Sequence, residues 1–274
     1  MFKSLFVRTL AGAVFAIVVL GSVFWHPIAL AIVLLVFTAI GLYEFFRLFV
    51  NASIIKESRI GIIVGLLTYS LITAYAFNWI EAVFLLILLP LFFLIFIVEL
   101  YKNNNQAFTQ IAFQILGTIY VAVPFSLYHF VHHYPLDNTQ SFDPWILTGV
   151  FVLVWSNDTF AYLFGSAFGK RRLFERISPK KSWEGTIGGG FATIGVAILL
   201  GNYLPSLDLI NWLILSLIII PAAIFGDLIE SMLKRNVLVK DSGNIMPGHG
   251  GVLDRFDAAN FALPFIVFFL YLLA

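Results

Sequence analysis

Apolar residues run through this chain in long blocks separated by short polar intervals. The blocks fall at roughly 5–25, 27–46, 60–77, 80–98, 110–131, 144–165, 186–204, 209–230 and 258–274. A helix needs about 20 mostly apolar residues to cross the hydrocarbon core of a bilayer. Backbone polar groups cannot stay unpaired in lipid, and runs this long and unbroken are too extended for barrel strands, so helices follow. The pattern predicts an all-α, polytopic integral membrane bundle of about nine transmembrane helices. The first block, with its basic start, reads as a retained span rather than a cleaved leader, because no small-residue cleavage site closes it. The fifth is the most polar: Gln114, Thr118, Pro124 and Ser126 predict a helix buried among others. The glycine run Gly188-Gly189-Gly190 predicts close helix packing rather than a phosphate loop. By function the chain divides into helices 1–4 (residues 1–104) and helices 5–9 (105–274), the latter carrying two long polar loops, 170–185 and 231–257.

Composition sharpens this picture. The chain is 61% hydrophobic and only 11% charged, where soluble domains carry about a quarter charged residues. A net charge of +1 excludes a nucleic-acid binder working by bulk electrostatics. Cysteine is absent, which removes disulfides, thiolate metal sites and cysteine nucleophiles together. Fourteen of the sixteen lysines and arginines fall in the intervals after spans two, four, six and eight, leaving Lys3 and Arg8 at the N-terminus. The positive-inside rule therefore puts those four loops in the cytoplasm and the N-terminus outside.

Candidate chemistry gathers in the two long loops, which hold ten of the sixteen basic residues. At the end of span eight, in GDLIESMLKR (226–235), Asp227, Ser231 and Lys234 share one helical face, with Glu230 beside them. An ionisable group at the hydrocarbon centre costs on the order of 2.5–3.5 kcal/mol, somewhat less near the interface. Two acids closing an apolar helix therefore need partners. A helix-end pair with Lys234 serves Glu230, whereas Asp227 lies deeper. Asp254, Arg255 and Asp257 open the last helix, the two acids on one face. Capping a helix N-terminus accounts for one acid but leaves the second. Asp227, Asp254 and Asp257 together suit a hard divalent cation such as magnesium, with room for a second cation, whose shell waters and phosphates complete. One nearby histidine and no cysteine argue against zinc. Between the acids, Pro247-Gly248-His249-Gly250-Gly251 cannot continue a helix cheaply. Its glycine N–H groups can approach an anion, and His249 can donate to one. Lys234, Arg235, Lys240 and Arg255 lie interleaved with the acids, the mixture that metal-bridged phosphate chemistry requires.

The other loop runs Ser178-Pro179-Lys180-Lys181-Ser182-Trp183-Glu184-Gly185. It reads either as a positive-inside cluster against anionic lipid or as a triphosphate clamp. Asn157-Asp158 inside span six is a site candidate because it places an acid in the membrane. His132-His133 is predicted on the outer side, in a solvated loop.

From Ser231 to Asp257 the chain reads SMLKRNVLVKDSGNIMPGHGGVLDRFD. This resembles the signature of phosphatidate cytidylyltransferases, also called CDP-diacylglycerol synthases: Ser-x-apolar-Lys-Arg, four residues, Lys-Asp, then His-Gly-Gly-apolar-x-Asp-Arg-apolar-Asp. Met246 stands where that family more often has Leu, Ile or Phe, and SPKKSWEG resembles its SPKKTWEG-type loop with Ser182 for threonine. The resemblance implies a reaction of CTP with phosphatidate, giving CDP-diacylglycerol and pyrophosphate in a bacterial inner membrane, and a homodimer. It implies metal-associated Asp227 and Asp254. Asp227, Asp254 and Asp257 are then expected at the metal, and Lys234, Arg235, Lys240 and Arg255 on phosphates. Ser178, Lys180, Lys181, Ser182, Ser231, Asp241, His249, Gly250 and Gly251 are expected around the substrates, with Asn157 and Asp158 completing the site. Two other readings remain open: a CTP-dependent polyprenol-type lipid kinase, and a transporter of phosphorylated solutes. Transporters place charge near the midplane in repeated halves, which this sequence lacks.

Overall fold

The computed structural model describes residues 2–56, 59–102, 104–134, 142–243, 245 and 250–273, with 2–9 as backbone only. Each apolar block forms a helix: α1 (Phe2–Trp25), α2 (Pro27–Asn51), α3 (Arg59–Ala76), α4 (Ala82–Tyr101), α5 (Ala107–His132), α6 (Pro144–Phe168), α7 (Trp183–Tyr203), α8 (Leu209–Asn236) and α9 (Leu253–Leu273). Among the described residues, the eight helices α2 to α9 are long and apolar enough to span a membrane. The chain is thus an all-α polytopic integral membrane protein. The departure from helix is a two-stranded ribbon, β1 (Arg172–Phe174) and β2 (Ser178–Ser182), in the loop between α6 and α7. The chain gathers into two compact units, Met1–Phe142 with Asp241–Arg255, and Asp143–Lys240 with Phe256–Ala274.

In the first unit α2 supplies the centre of the core. Leu42, Phe45 and Phe46 are fully buried and Phe49 nearly so. Gly61 and Gly65 of α3 lie against Phe46 and Leu42, and Gly117 of α5 lies against Phe45 and Phe46. A β-carbon at any of the three would overlap those side chains, so small residues let the helices approach closely. The fifth span is buried as its polarity predicts, with Gln114, Thr118 and Ser126 showing no exposure. The Thr118 and Ser126 hydroxyls donate to the carbonyls of Gln114 (3.1 Å) and Val123 (2.6 Å). Gln114 Nε2 donates to Glu99 (3.2 Å), which also pairs with Lys102 (3.0 Å). Thr118–Ala122 forms one wide π-type turn just before Pro124, which has no N–H and whose ring needs room on the preceding turn. His132 departs from its expected place in a solvated loop. It ends α5 fully buried, its Nε2 lies 2.9 Å from the Val23 carbonyl, and its ring stacks on Phe142. The helix runs one residue past the apolar block, through His132, and packing against the end of α1 shields the imidazole.

In the second unit each of the three helix starts has a side-chain cap. Asp143 accepts the Trp145 N–H (2.7 Å), Ser182 that of Gly185 (3.2 Å) and Asp208 that of Asn211 (2.7 Å). Helices α6 and α7 meet along a glycine seam. Gly185 and Gly189 sit against the Ala161 and Gly165 backbone, and Gly188 against Phe164. The glycine run therefore serves helix packing, as its sequence predicts. Trp212 of α8 is fully buried over Gly149 of α6, and Gly226 of α8 admits the backbone of α9 at Asp257 and Ala258.

Candidate functional site

In the second unit the loop after α6 folds back on itself. Arg172 pairs with Ser182 and Phe174 with Ser178 in an antiparallel ribbon. Its base is tied by Glu184, whose carboxylate accepts the N–H groups of Lys170 (3.0 Å) and Arg171 (3.1 and 3.2 Å). Ser182 is buried, its hydroxyl committed to capping α7. Ser178 is half-buried and Lys180 exposed. Lys181 turns inward and forms an ion pair with Asp227 Oδ2. The ribbon thus delivers a lysine from one predicted loop to an acid on the helix that leads into the other.

Asp227 Oδ1 accepts the Ser231 hydroxyl one turn along α8 (3.2 Å), so the shared face read from spacing is present. Glu230 pairs with Lys234 (3.3 Å), as expected for a helix end. Both side chains are buried rather than snorkelling, at 2% and 8% exposure. Asp257 is half-buried at the start of α9 and lies within the field of Asp227, Glu230 and Lys234. Its Oδ1 accepts the Ala258 N–H (2.7 Å). Three acids and two lysines therefore share one neighbourhood in this unit. Arg235 and Lys240 are exposed beyond α8, the Arg235 guanidinium donating to the Val239 carbonyl (3.0 Å). In α6, Asn157 is buried and its Oδ1 has no hydrogen-bond partner among the described residues, whereas Asp158 is exposed.

In the first unit Asp254 organises the approach to α9. Its Oδ2 accepts the Ser242 N–H (2.9 Å), the Ser242 hydroxyl (2.9 Å) and the Gly251 N–H (2.8 Å). All three donors precede α9, so these bonds fasten the incoming segment to the helix rather than cap its first turn. The Gly251 N–H, expected to face an anion, is given to this carboxylate. Gly250 has φ +84°, and a β-carbon there would also run into Asp254, so only glycine fits. Asp241 and Arg255 are exposed. His249, with Pro247 and Gly248, lies outside the described residues.

Sequence reasoning missed Glu44 of α2. It is 2% exposed, and its Oε2 accepts the Leu253 N–H (3.1 Å) and lies 3.4 Å from the Ser242 hydroxyl. The signal was available, because a lone acid in an apolar span is a site candidate by the rule that singles out Asp158.

The expected metal ligands divide between the units, Asp227 and Asp257 in the second, Asp254 in the first. Within each unit, among the described residues, no three histidine, aspartate or glutamate side chains gather closely enough to hold an ion. By donor type Asp227 and Asp257 fit magnesium, which takes one or two carboxylates and completes its shell with water and phosphate oxygens. The Lys181 ammonium on Asp227 also marks that carboxylate as a seat for positive charge.

Comparison with known proteins agrees with the motifs. Residues 6–273 match the model of the Cytidylyltransferase family. Phosphatidate cytidylyltransferase of Staphylococcus aureus (strain COL) is 34% identical over 267 residues, 95% of this chain and 96% of that protein. The Bacillus subtilis (strain 168) protein of that name is 33% identical over 275 residues, 97% of each. That of Haemophilus influenzae is 40% identical over 146 residues, 52% of this chain and 50% of that protein. With nearly its whole length matched, the chain belongs to the cytidylyltransferase family, among relatives that are bacterial phosphatidate cytidylyltransferases.

Proposed function

We propose that this protein transfers a cytidylyl group from CTP to phosphatidate, forming CDP-diacylglycerol and pyrophosphate. A phosphate oxygen of phosphatidate attacks the α-phosphorus of CTP, and the bond from that phosphorus to the bridging oxygen of pyrophosphate breaks. The second pKa of a phosphate monoester is about 6, so the nucleophile is largely dianionic near neutral pH. No general base is then required, and no serine or histidine need be activated. The obstacle is repulsion between two anions, which positioning and charge neutralisation overcome.

The observation that carries this reading is the Lys181–Asp227 ion pair. It sets a ribbon rich in lysine and arginine beside a carboxylate cluster, as phosphoryl chemistry demands. Lys180, Lys181, Lys234, Arg235, Lys240 and Arg255 neutralise phosphates. Ser178, Ser231, Asp241, His249, Gly250, Asn157 and Asp158 line the substrates, whereas the Ser182 hydroxyl caps α7 and the Gly251 N–H is held by Asp254. Magnesium, where bound, would be held by Asp227 and Asp257 of the second unit and would supply Lewis-acid neutralisation of phosphate oxygens. The distribution of basic residues favours an active face toward the cytoplasm, where CTP is made, an outside N-terminus and a bacterial inner membrane. The working form is a homodimer with no nucleic-acid partner.

Purified protein with phosphatidate and CTP labelled, in parallel reactions, at the α-phosphate or at the γ-phosphate tests the reaction. The α-label should move into a lipid product and the γ-label should leave in pyrophosphate. Label entering lipid only from the γ-phosphate would replace this reading with the lipid kinase.

A further inference from the structure

Glu44 lies outside both motifs and takes no part in the chemistry above. It is nonetheless a buried acid in a membrane helix, and among the described residues no lysine or arginine pairs with it. An apolar side chain of similar size would fill the space without the desolvation cost of a buried carboxylate. What only an acceptor can do is meet N–H groups. At the start of α9 the Leu253 N–H is one of the donors a helix leaves without an internal partner, and Glu44 Oε2 takes it at 3.1 Å, with the Val252 amide contributing as well. The same oxygen lies 3.4 Å from the Ser242 hydroxyl, whose closer acceptor is Asp254 Oδ2 at 2.9 Å. Two carboxylates thus gather Ser242, Gly251 and Leu253, joining both flanks of the segment between α8 and α9. Gly243 and Gly251 pack directly on the Glu44 carboxylate, where a β-carbon on either would overlap it.

We propose that Glu44 is a positioning residue: it holds Ser242 and the first turn of α9 so that Asp254 and Arg255 are presented to substrate in a fixed orientation. Its effect on turnover rests on the cytidylyltransferase reading, while its effect on the segment does not. The test compares Glu44→Ala, Glu44→Gln and Gly243→Ala in the full chain, by amide hydrogen exchange and by kinetics. With Glu44→Ala, exchange in peptides covering Ser242 and Leu253 should quicken at least about tenfold, while α3 and α5 peptides stay protected. The CTP KM and the magnesium concentration for half-activation should both rise severalfold. Glu44→Gln, which still offers a carbonyl oxygen to Leu253, should recover most of both. Gly243→Ala should mimic Glu44→Ala, and the double variant should be no worse than either, because removing the carboxylate removes the overlap. Unchanged exchange at Ser242 and Leu253 would overturn the proposal, and so would a uniform rise across α2, α3 and α5. A fall in kcat with both concentration parameters unchanged would reduce Glu44 to a folding role and equally overturn it. If the wild type transfers no cytidylyl group at all, the activity reading fails, and the exchange result alone decides the role of Glu44.

Discussion

Replacing Lys181 by methionine separates its structural from its catalytic contribution by size. The substitution breaks the ion pair with Asp227, whose side chains are 26% (lysine) and 32% (aspartate) exposed. Exposed ion pairs contribute about 0–1 kcal/mol, whereas removing one partner of a buried pair costs about 3–5 kcal/mol. Partial exposure places this loss between those limits, at about 1–2 kcal/mol. For a chain of this length each kcal/mol moves the melting temperature by about 2–4 °C, so Lys181→Met should melt roughly 2–8 °C lower and stay folded at assay temperature. The catalytic loss should be larger. A donor aimed at charge that develops in the transition state is typically worth about 10²–10³ in kcat, or about 2.7–4 kcal/mol. Thermal unfolding in detergent gives the first quantity, and initial rates with labelled CTP at matched folded protein give the second. Lys181→Arg, which keeps the charge, should recover part of the rate. A kcat/KM for Lys181→Met within threefold of wild type would refute the assignment. Loss of activity only in proportion to folded protein would do the same.

Chelation should stop the reaction and added magnesium restore it; turnover indifferent to EDTA would remove the metal from the Asp227–Asp257 pair. Asp254→Asn should lower turnover by at least about 10²-fold while the protein still inserts and extracts, with a stability loss of about 1–3 kcal/mol from weakened hydrogen bonds to Ser242 and Gly251. Near-wild-type rates would leave Asp254 only the role of fastening the segment before α9. Because phosphatidate must lose its second proton to attack as a dianion, kcat/KM for the lipid should be level above about pH 6.5 and fall about tenfold per unit below pH 5.5. A profile flat from pH 5 to 8 would mean that the monoanion reacts or that a slower step hides the chemistry.

The helices were legible because the membrane imposes a one-dimensional rule: apolar length alone marks a span, and all nine blocks are helical. Local side-chain geometry was legible too. The Asp227–Ser231 and Glu230–Lys234 contacts lie at helical spacing, and spacing is visible in sequence. Contacts between elements distant in sequence were not. Nothing in KKSWEG says that Lys181 turns in to Asp227 while Lys180 faces out, since that depends on strand pairing in a short ribbon. Glu44 and Leu253 are separated by 209 positions, and only the fold joins them. His132 was misplaced because hydropathy counts an imidazole as polar, whereas burial depends on whether its nitrogens find partners.

Charge counting gives the proposed metal a physical reason independent of any motif. In the second unit Asp227, Glu230 and Asp257 face Lys181 and Lys234, which if fully ionised leaves that neighbourhood one negative charge in excess. Both proposed substrates are polyanions. At an effective dielectric constant near 20, two like charges about 4 Å apart repel by about 4 kcal/mol, so such a cluster would drive away the molecules it has to unite. The exposed Lys180, Arg171 and Arg172 offset this only in part, because water and salt screen them. A divalent cation held by these carboxylates would reverse the local sign. The acids would then supply the site's affinity for positive charge, and the lysines paired with them would offset the repulsion among the acids before substrate arrives.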